Sequence, residues 1–252
     1  MRPVITLLTD FGTADGYVAE MKGVLLSAAP GTEVIDLSHE VAPHDVDAAR
    51  LAVARYWHRF PEGVVHLVVI DPGVGTGRAA VAVSSERRFL VGPDNGVLSP
   101  ALLRPGAQVV ELPVSPDAAP TFHGRDVFAP AAAALARGAA FESLGARLAE
   151  PTIRRTPEPV READGWIRGE VIAIDRFGNA VTNLMCRTAG QVRIGTRPVP
   201  MVRTYGDGTP GEAIALVGSS GLLEIAVRNG SAADSLGLTR GSEVRCRGTS
   251  QV

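Results

Sequence analysis

Three short strand-like runs, Val4 to Leu8, Glu33 to Leu37 and Val64 to Ile70, constrain this chain more than any other feature. Between the first two, Tyr17, Met21, Val24, Leu25 and Ala28 recur at helical spacing until Pro30 and Gly31 stop the pattern. Between the second and third, Asp45 can cap a helix that runs to about Arg59, before Pro61, Glu62 and Gly63 break it. Alternation of strand and helix predicts an α/β domain with a largely parallel sheet flanked by helices. Val81 to Val83, Arg88 to Val91 and Val109 to Leu112 read as further strands, and the alanine-rich Val127 to Ala136 as the last clear helix.

After residue 150 the pattern changes. Residues 151–164 are rich in Pro, Arg, Glu and Thr, and Pro151, Pro157 and Pro159 interrupt any regular element, so they read as a linker. Beyond it, Trp166 to Ile174, Ala180 to Leu184, Val192 to Ile194, Val199 to Val202, Ala213 to Val217, Leu222 to Val227 and Glu243 to Arg247 are short strand-like runs between Gly, Asn and Asp turns. The expected organisation is an α/β domain over 1–150 and a smaller all-β, antiparallel, barrel-like domain over 165–252.

Composition excludes several classes. A net charge of −2 leaves no basic surplus for nucleic acid or an anionic membrane. No apolar run approaches the ~20 residues that span a bilayer, and Met1 to Thr6 lead into a strand with no signal-peptide core. The expectation is a cytoplasmic protein whose partner is a small molecule or another subunit. Cys186 and Cys246 lie in no metal-ligand spacing and read as small buried apolar residues.

Polar residues collect where the strands end: Asp10 after the first and Asp71 after the third. Ligands of open parallel sheets bind beyond the carboxyl ends of strands, so the two carboxylates can meet although each alone is an ordinary turn residue. Between Asp71 and Arg78 lie Gly73, Gly75 and Gly77, which let backbone approach a ligand or turn sharply. This is no phosphate loop, because neither Lys nor Ser/Thr follows the last glycine and no helix opens there. His123, in Thr121 to Asp126 just before a helix, is the histidine best placed for chemistry; His39, His44, His58 and His66 read as surface or structural residues, although His39 and His44 flank a glycine-free loop that could approach the site. Asp10, Asp71, His123 and Asp126 are metal-ligand types, but no compact ligand spacing occurs, so neither metal nor cofactor is expected. In the second domain Asp175 to Asn179, Gly218 to Gly221 and Arg228 to Gly230 are, taken alone, polar turns.

Together, Thr9 to Phe11, Asp71 to Arg78, Pro93 to Gly96, Phe122 to Gly124, Asp175 to Asn179 and Ser219 to Gly230 resemble the S-adenosylmethionine hydroxide adenosyltransferase family, whose relatives include fluorinating and chlorinating enzymes. The resemblance implies hydrolysis of S-adenosylmethionine, its own substrate and no cofactor, to adenosine and methionine. It implies that Asp71, Arg78 and His123 surround the attacking water. Asp10 would accept the ribose hydroxyls, and Phe122 belongs to the motif beside His123. Phe177 and Asn179 would meet adenine, Asp175 the methionine ammonium, and Ser219 the methionine carboxylate, while Arg228 and Gly230 line the adenine end. Some relatives carry Arg where this chain has Ser220, which leaves carboxylate recognition to a neutral hydroxyl or to backbone amides. The resemblance further implies a homotrimer with sites at subunit interfaces.

Halogenating relatives have Tyr or Gly in place of this Asp. At an effective dielectric near 20, two like unit charges ~4 Å apart cost about 4 kcal/mol, so Asp71 disfavours a halide. Halide-dependent adenosyl transfer, a non-catalytic adenosine or S-adenosylmethionine sensor, and metal-dependent phosphoester hydrolysis are the alternatives.

Overall fold

Val4–Thr9 forms β1, with Ile5 to Thr9 all buried, because helices cover both faces of the strand. The computed structural model describes residues 2–185 and 189–248. The chain divides into two units, Met1–Arg155 and Thr156–Val252.

In the first unit α1 (Tyr17–Ala28), β2 (Glu33–Ser38), α2 (Val46–Tyr56) and β3 (Val65–Val69) follow β1. Asp45 caps α2 as expected, its side chain accepting from the Ala48 amide at 2.9 Å. Next come β4 (Ala80–Ser85), β5 (Arg88–Pro93), α3 (Ser99–Leu102), β6 (Gln108–Glu111), α4 (Ala129–Ala136) and β7 (Ala146–Arg147), in a sheet ordered β2-β1-β3-β5-β4-β6-β7. One face, with Ile5, Leu7, Leu67 and Val69, packs on Met21 and Leu25 of α1 and on the alanines of α4. The other, with Leu8, Val68 and Ile70, packs on Ala49 and Val53 of α2. Each such fully buried aliphatic side chain contributes about 1.5–3 kcal/mol.

The sheet is mixed, which corrects the largely parallel arrangement read from the sequence. β1 pairs in parallel with β2 and β3, and β3 with β5, but β4 runs antiparallel to β5 and β6, and β6 antiparallel to β7. Only Glu86 and Arg87 separate β4 from β5, both with left-handed φ, and a two-residue connection can join only antiparallel strands.

The second unit contains β8 (Val160–Arg161), β9 (Ile167–Ile174), β10 (Ala180–Thr182), β11 (Ala189–Ile194), β12 (Arg197–Val199), β13 (Ala213–Val217), β14 (Leu223–Val227), the short α5 (Ala232–Leu236) and β15 (Glu243–Gly248). Every strand pairing is antiparallel, in the order β12-β11-β15-β9-β10-β14-β13, with β8 on β9. Val202 donates to the Ala215 carbonyl and Ala215 to that of Pro200, so the two ends of the sheet nearly close into a barrel. Val171, Leu184, Val192, Ile225 and Val244 fill it. Cys246 is buried there as read; Cys186 lies outside the described residues. β8 falls inside the stretch read as linker, and α5 has no counterpart in the sequence reading.

Candidate active site

β3 ends two residues before Asp71, and Asn95 Nδ2 holds the intervening Ile70 carbonyl at 2.8 Å, which fixes the point where the chain leaves the sheet. The loop then turns on itself: Val74 donates to the Asp71 carbonyl, and the Thr76 amide and hydroxyl both donate to that of Gly73. Gly75 has φ +75°, and a Cβ there would lie 2.6 Å from the Pro120 oxygen, so only glycine lets the loop lie against the segment leading to His123.

That loop returns Arg78 onto Asp71. Arg78 Nε donates to Asp71 Oδ1 at 2.9 Å and Nη2 donates to Oδ2, a bidentate fork that matches the carboxylate plane. Nη2 also lies 2.9 Å from His123 Nδ1. A guanidinium has no acceptor, so Nδ1 must be the lone-pair nitrogen and the proton of neutral His123 resides on Nε2, an assignment made from the hydrogen-bond network. Arg78 further lies over the Phe128 ring, 5.2 Å from its centroid. The Asp71 side chain is 5% exposed and that of Arg78 10%, a depth at which removing one partner typically costs about 3–5 kcal/mol. Arg78 Nη1 is buried with no hydrogen-bond partner among the described residues.

His123 is buried at the start of a π-helical turn, Gly124–Phe128, that leads into α4. Burial pushes its pKa below the usual histidine value, and the Arg78 charge adds to that; Asp71 and Asp126 oppose it.

Asp10 follows β1, and its Oδ2 accepts from the His44 amide at 2.8 Å. His44 has φ +67°. Phe11 and Phe122 meet edge to face with centroids 5.9 Å apart, and Tyr17 packs on both. The neighbours of Asp10 and His123 therefore stack on each other at the carboxyl edge of the sheet. Asp126 is engaged elsewhere, by Arg125 and by the Ala119 amide.

In the second unit the turn between β9 and β10 is built on Asp175. Its Oδ1 accepts from the amides of Phe177 and Asn179, and its Oδ2 from Asn179 Nδ2, all at 2.9 Å. Asn179 is buried, whereas Phe177 is 78% exposed. A cavity of about 740 Å³ is lined by Asp175, Phe177, Asn179, Arg228 and Gly230, together with Tyr205 and Gly206, which sequence reading missed. Arg228 Nη1 donates to the carbonyls of Gly206 and Gly208, and the Tyr205 hydroxyl to Glu224 Oε2 at 2.8 Å. The available signal for Tyr205 was an aromatic side chain set in a polar turn, Thr204 to Asp207. Ser219 and Ser220 are exposed in the turn between β13 and β14, at the end of β14 opposite Arg228, and do not line this cavity.

The possible metal ligands are not gathered around a point. Both Asp71 oxygens face Arg78, and among the described residues no three His, Cys, Asp or Glu side chains form a potential metal site. Nor, among the described residues, is any helix long and apolar enough to cross a membrane.

Two family models match the chain, the SAM hydroxide adenosyltransferase N-terminal domain over residues 5–145 and the corresponding C-terminal domain over residues 169–245. The chain is 46% identical to a Thermus thermophilus protein named (R)-S-adenosyl-L-methionine hydrolase, over 97% of this chain and 99% of that one. It is 42% identical to a Salinispora tropica protein of the same name, over 96% and 97% of the two chains. A fluorinase of an Actinoplanes species is 27% identical over 89% of this chain and 90% of its own. A crystal structure of a conserved protein from Thermotoga maritima aligns with a TM-score of 0.88 at 34% identity, covering 96% of this chain and 99% of that one.

Proposed function

The chain belongs to the SAM hydroxide adenosyltransferase family, and from that membership we propose that it hydrolyses S-adenosyl-L-methionine to adenosine and L-methionine. In this reading water attacks the ribose C5' in line with sulfur. The C5'–O bond forms as the C5'–S bond breaks, the electron pair goes to sulfur, and methionine leaves with a neutral thioether. A sulfonium needs no acid to depart, so the work falls on the nucleophile, where alignment is worth up to about 7–11 kcal/mol.

The observation that carries this reading is the way Arg78 divides its donors. Its fork fixes the Asp71 carboxylate, its bond to His123 leaves Nε2–H as the imidazole's donor, and Nη1 remains a buried donor with no partner among the described residues. Water offers the acceptor that such a donor requires. With Nδ1 occupied, His123 orients the water or its product oxygen, and Asp71, which retains a second lone pair on each oxygen, takes the proton. The buried carboxylate also disfavours a halide in the water's place.

Asp10 takes the ribose hydroxyls, with Phe122 flanking the reacting end. Phe177, Asn179, Arg228 and Gly230 form the adenine end, Asp175 faces the methionine ammonium, and Ser219 with Ser220 the carboxylate. The (R) sulfonium epimer named for the relatives is the expected substrate, and no metal or cofactor takes part. A cytoplasmic homotrimer with shared sites completes the proposal; full activity from a monomer, established by light scattering at assay concentration, would contradict that last part.

Hydrolysis in ¹⁸O-labelled water tests the core of it. Adenosine should carry the label at its 5' oxygen. Unlabelled adenosine, or no adenosine after long incubation with tight ligand binding, refutes C5' hydrolysis.

A further inference from the structure

Thr9 and His39 are both buried where β1 and β2 end, and they contact each other although neither belongs to the group around Arg78. The β1–β2 register is regular up to the Leu7–Asp36 pair and then skips Leu37, so that Leu8 pairs with Ser38. One extra residue reverses the alternation of side chains, which brings position 39 beside Thr9. Thr9 Oγ1 lies 2.8 Å from His39 Nδ1, and His39 Nε2 lies 3.1 Å from Asp36 Oδ1, off the ideal N–H line. Lys22 Nζ holds the other Asp36 oxygen at 2.6 Å.

The direction of each proton follows from what each group can do. The Asp36 carboxylate can only accept, so the imidazole proton is assigned to Nε2 and Nδ1 is left to accept from the Thr9 hydroxyl, whose oxygen also accepts from the Phe11 amide at 3.3 Å. The backbone after His39 grips the same loop twice: Gly12 donates to the His39 carbonyl at 2.8 Å, and His44 donates to Asp10 Oδ2. Asp10 is thus flanked on both sides by groups tied to His39, with Oδ2 committed to protein and Oδ1 not engaged in any protein hydrogen bond described.

We propose that His39 is a positioning residue for ribose recognition: its bonds to Thr9 and Gly12 set the loop that presents the Asp10 carboxylate to the sugar hydroxyls. The proposal rests on the reading above that Asp10 binds the ribose. It assigns His39 no contact with ligand and no part in proton transfer at C5'.

Calorimetric titration with adenosine and 2'-deoxyadenosine tests this, because the ratio of their dissociation constants reports how well Asp10 engages the 2' hydroxyl. Asp10→Ala should collapse the preference for adenosine; if it leaves the ratio intact, the ribose role of Asp10 fails and this inference falls with it. Given that collapse, His39→Leu and the isosteric Thr9→Val should each lower the ratio roughly tenfold, the scale of one hydrogen bond to a charged group. His39→Asn, which keeps an acceptor near the Nδ1 position, should restore most of it. In hydrolysis, His39→Leu should raise KM and leave kcat within about threefold, since the Arg78 group is untouched. A wild-type ratio in His39→Leu and Thr9→Val, or equal loss in His39→Asn and His39→Leu, would overturn the proposal.

Discussion

Arg78 and His123 share one hydrogen bond, Nη2 to Nδ1 at 2.9 Å, which only the arginine can donate. The bond requires His123 to keep Nδ1 free of a proton, so protonating the imidazole would set two cations against each other in a buried site. Burial and the Arg78 charge both favour the neutral ring. Activity should therefore stay level as pH falls through the ordinary histidine value of 6.5, with its acid limb at lower pH. A pH profile of kcat/KM that breaks at 6.5 or above would contradict this arrangement.

Asp71→Asn keeps an oxygen for Arg78 Nε but removes the proposed base. Turnover should fall about 10²- to 10⁴-fold while substrate affinity, measured by calorimetry, changes little. Arg78→Lys keeps the charge and loses the fork, since one ammonium cannot satisfy both Asp71 oxygens and His123 together. Its turnover should drop on the order of 10- to 100-fold, with circular dichroism confirming an intact fold.

Gly75→Ala should damage stability and turnover together, because the left-handed backbone alone costs roughly 1–2 kcal/mol and the new Cβ would press on the Pro120 carbonyl. Gly77 has neither constraint, and Gly77→Ala is expected within about 0.5 kcal/mol of the parent in urea denaturation. Equal behaviour of the two variants would show that the loop does not depend on its contact with the Pro120 segment.

His66 gives the first unit a defined acid sensitivity. It is fully buried on β3 with Nδ1 2.8 Å from Thr6 Oγ1, and burial lowers its pKa from 6.5 to about 4. A depressed value means the unfolded chain takes up the proton first. Its contribution is therefore complete above pH 6.5, is lost as pH falls from 6.5 to about 4, and changes no further below. The loss amounts to about 3 kcal/mol across that window. Denaturant titrations of the parent and of His66→Gln at several pH values should show a shallower decline in the variant.

Of the residues that meet around Arg78, Asp71 was legible because it stands where an apolar run stops and a sheet brings such ends to one edge, and His123 because it sits in a loop just before a helix; Arg78 was joined to them only through the family resemblance. The direction of β4 was not legible. Primed hairpin turns usually advertise themselves by Asn or Gly, and here Glu86 and Arg87 occupy the left-handed positions, so the reversal carries no compositional mark. Strands of the second unit were visible through their turns, whereas α5, five residues long, is too short to display a helical period. Tyr205 escaped because its place depends on Arg228 and Glu224, some twenty residues away in sequence. The β1–β2 register skip at Leu37 was equally hidden, since no glycine or proline marks it.

Asp10, Asp71, Arg78 and His123 belong to one unit, while Asp175, Phe177, Asn179 and Arg228 belong to the other. The residues proposed to activate water and those proposed to meet adenine thereby lie in different compact units of the chain. Under the proposed roles, substitutions in the barrel turns would alter which base is accepted and leave the guanidinium and its two companions as they are.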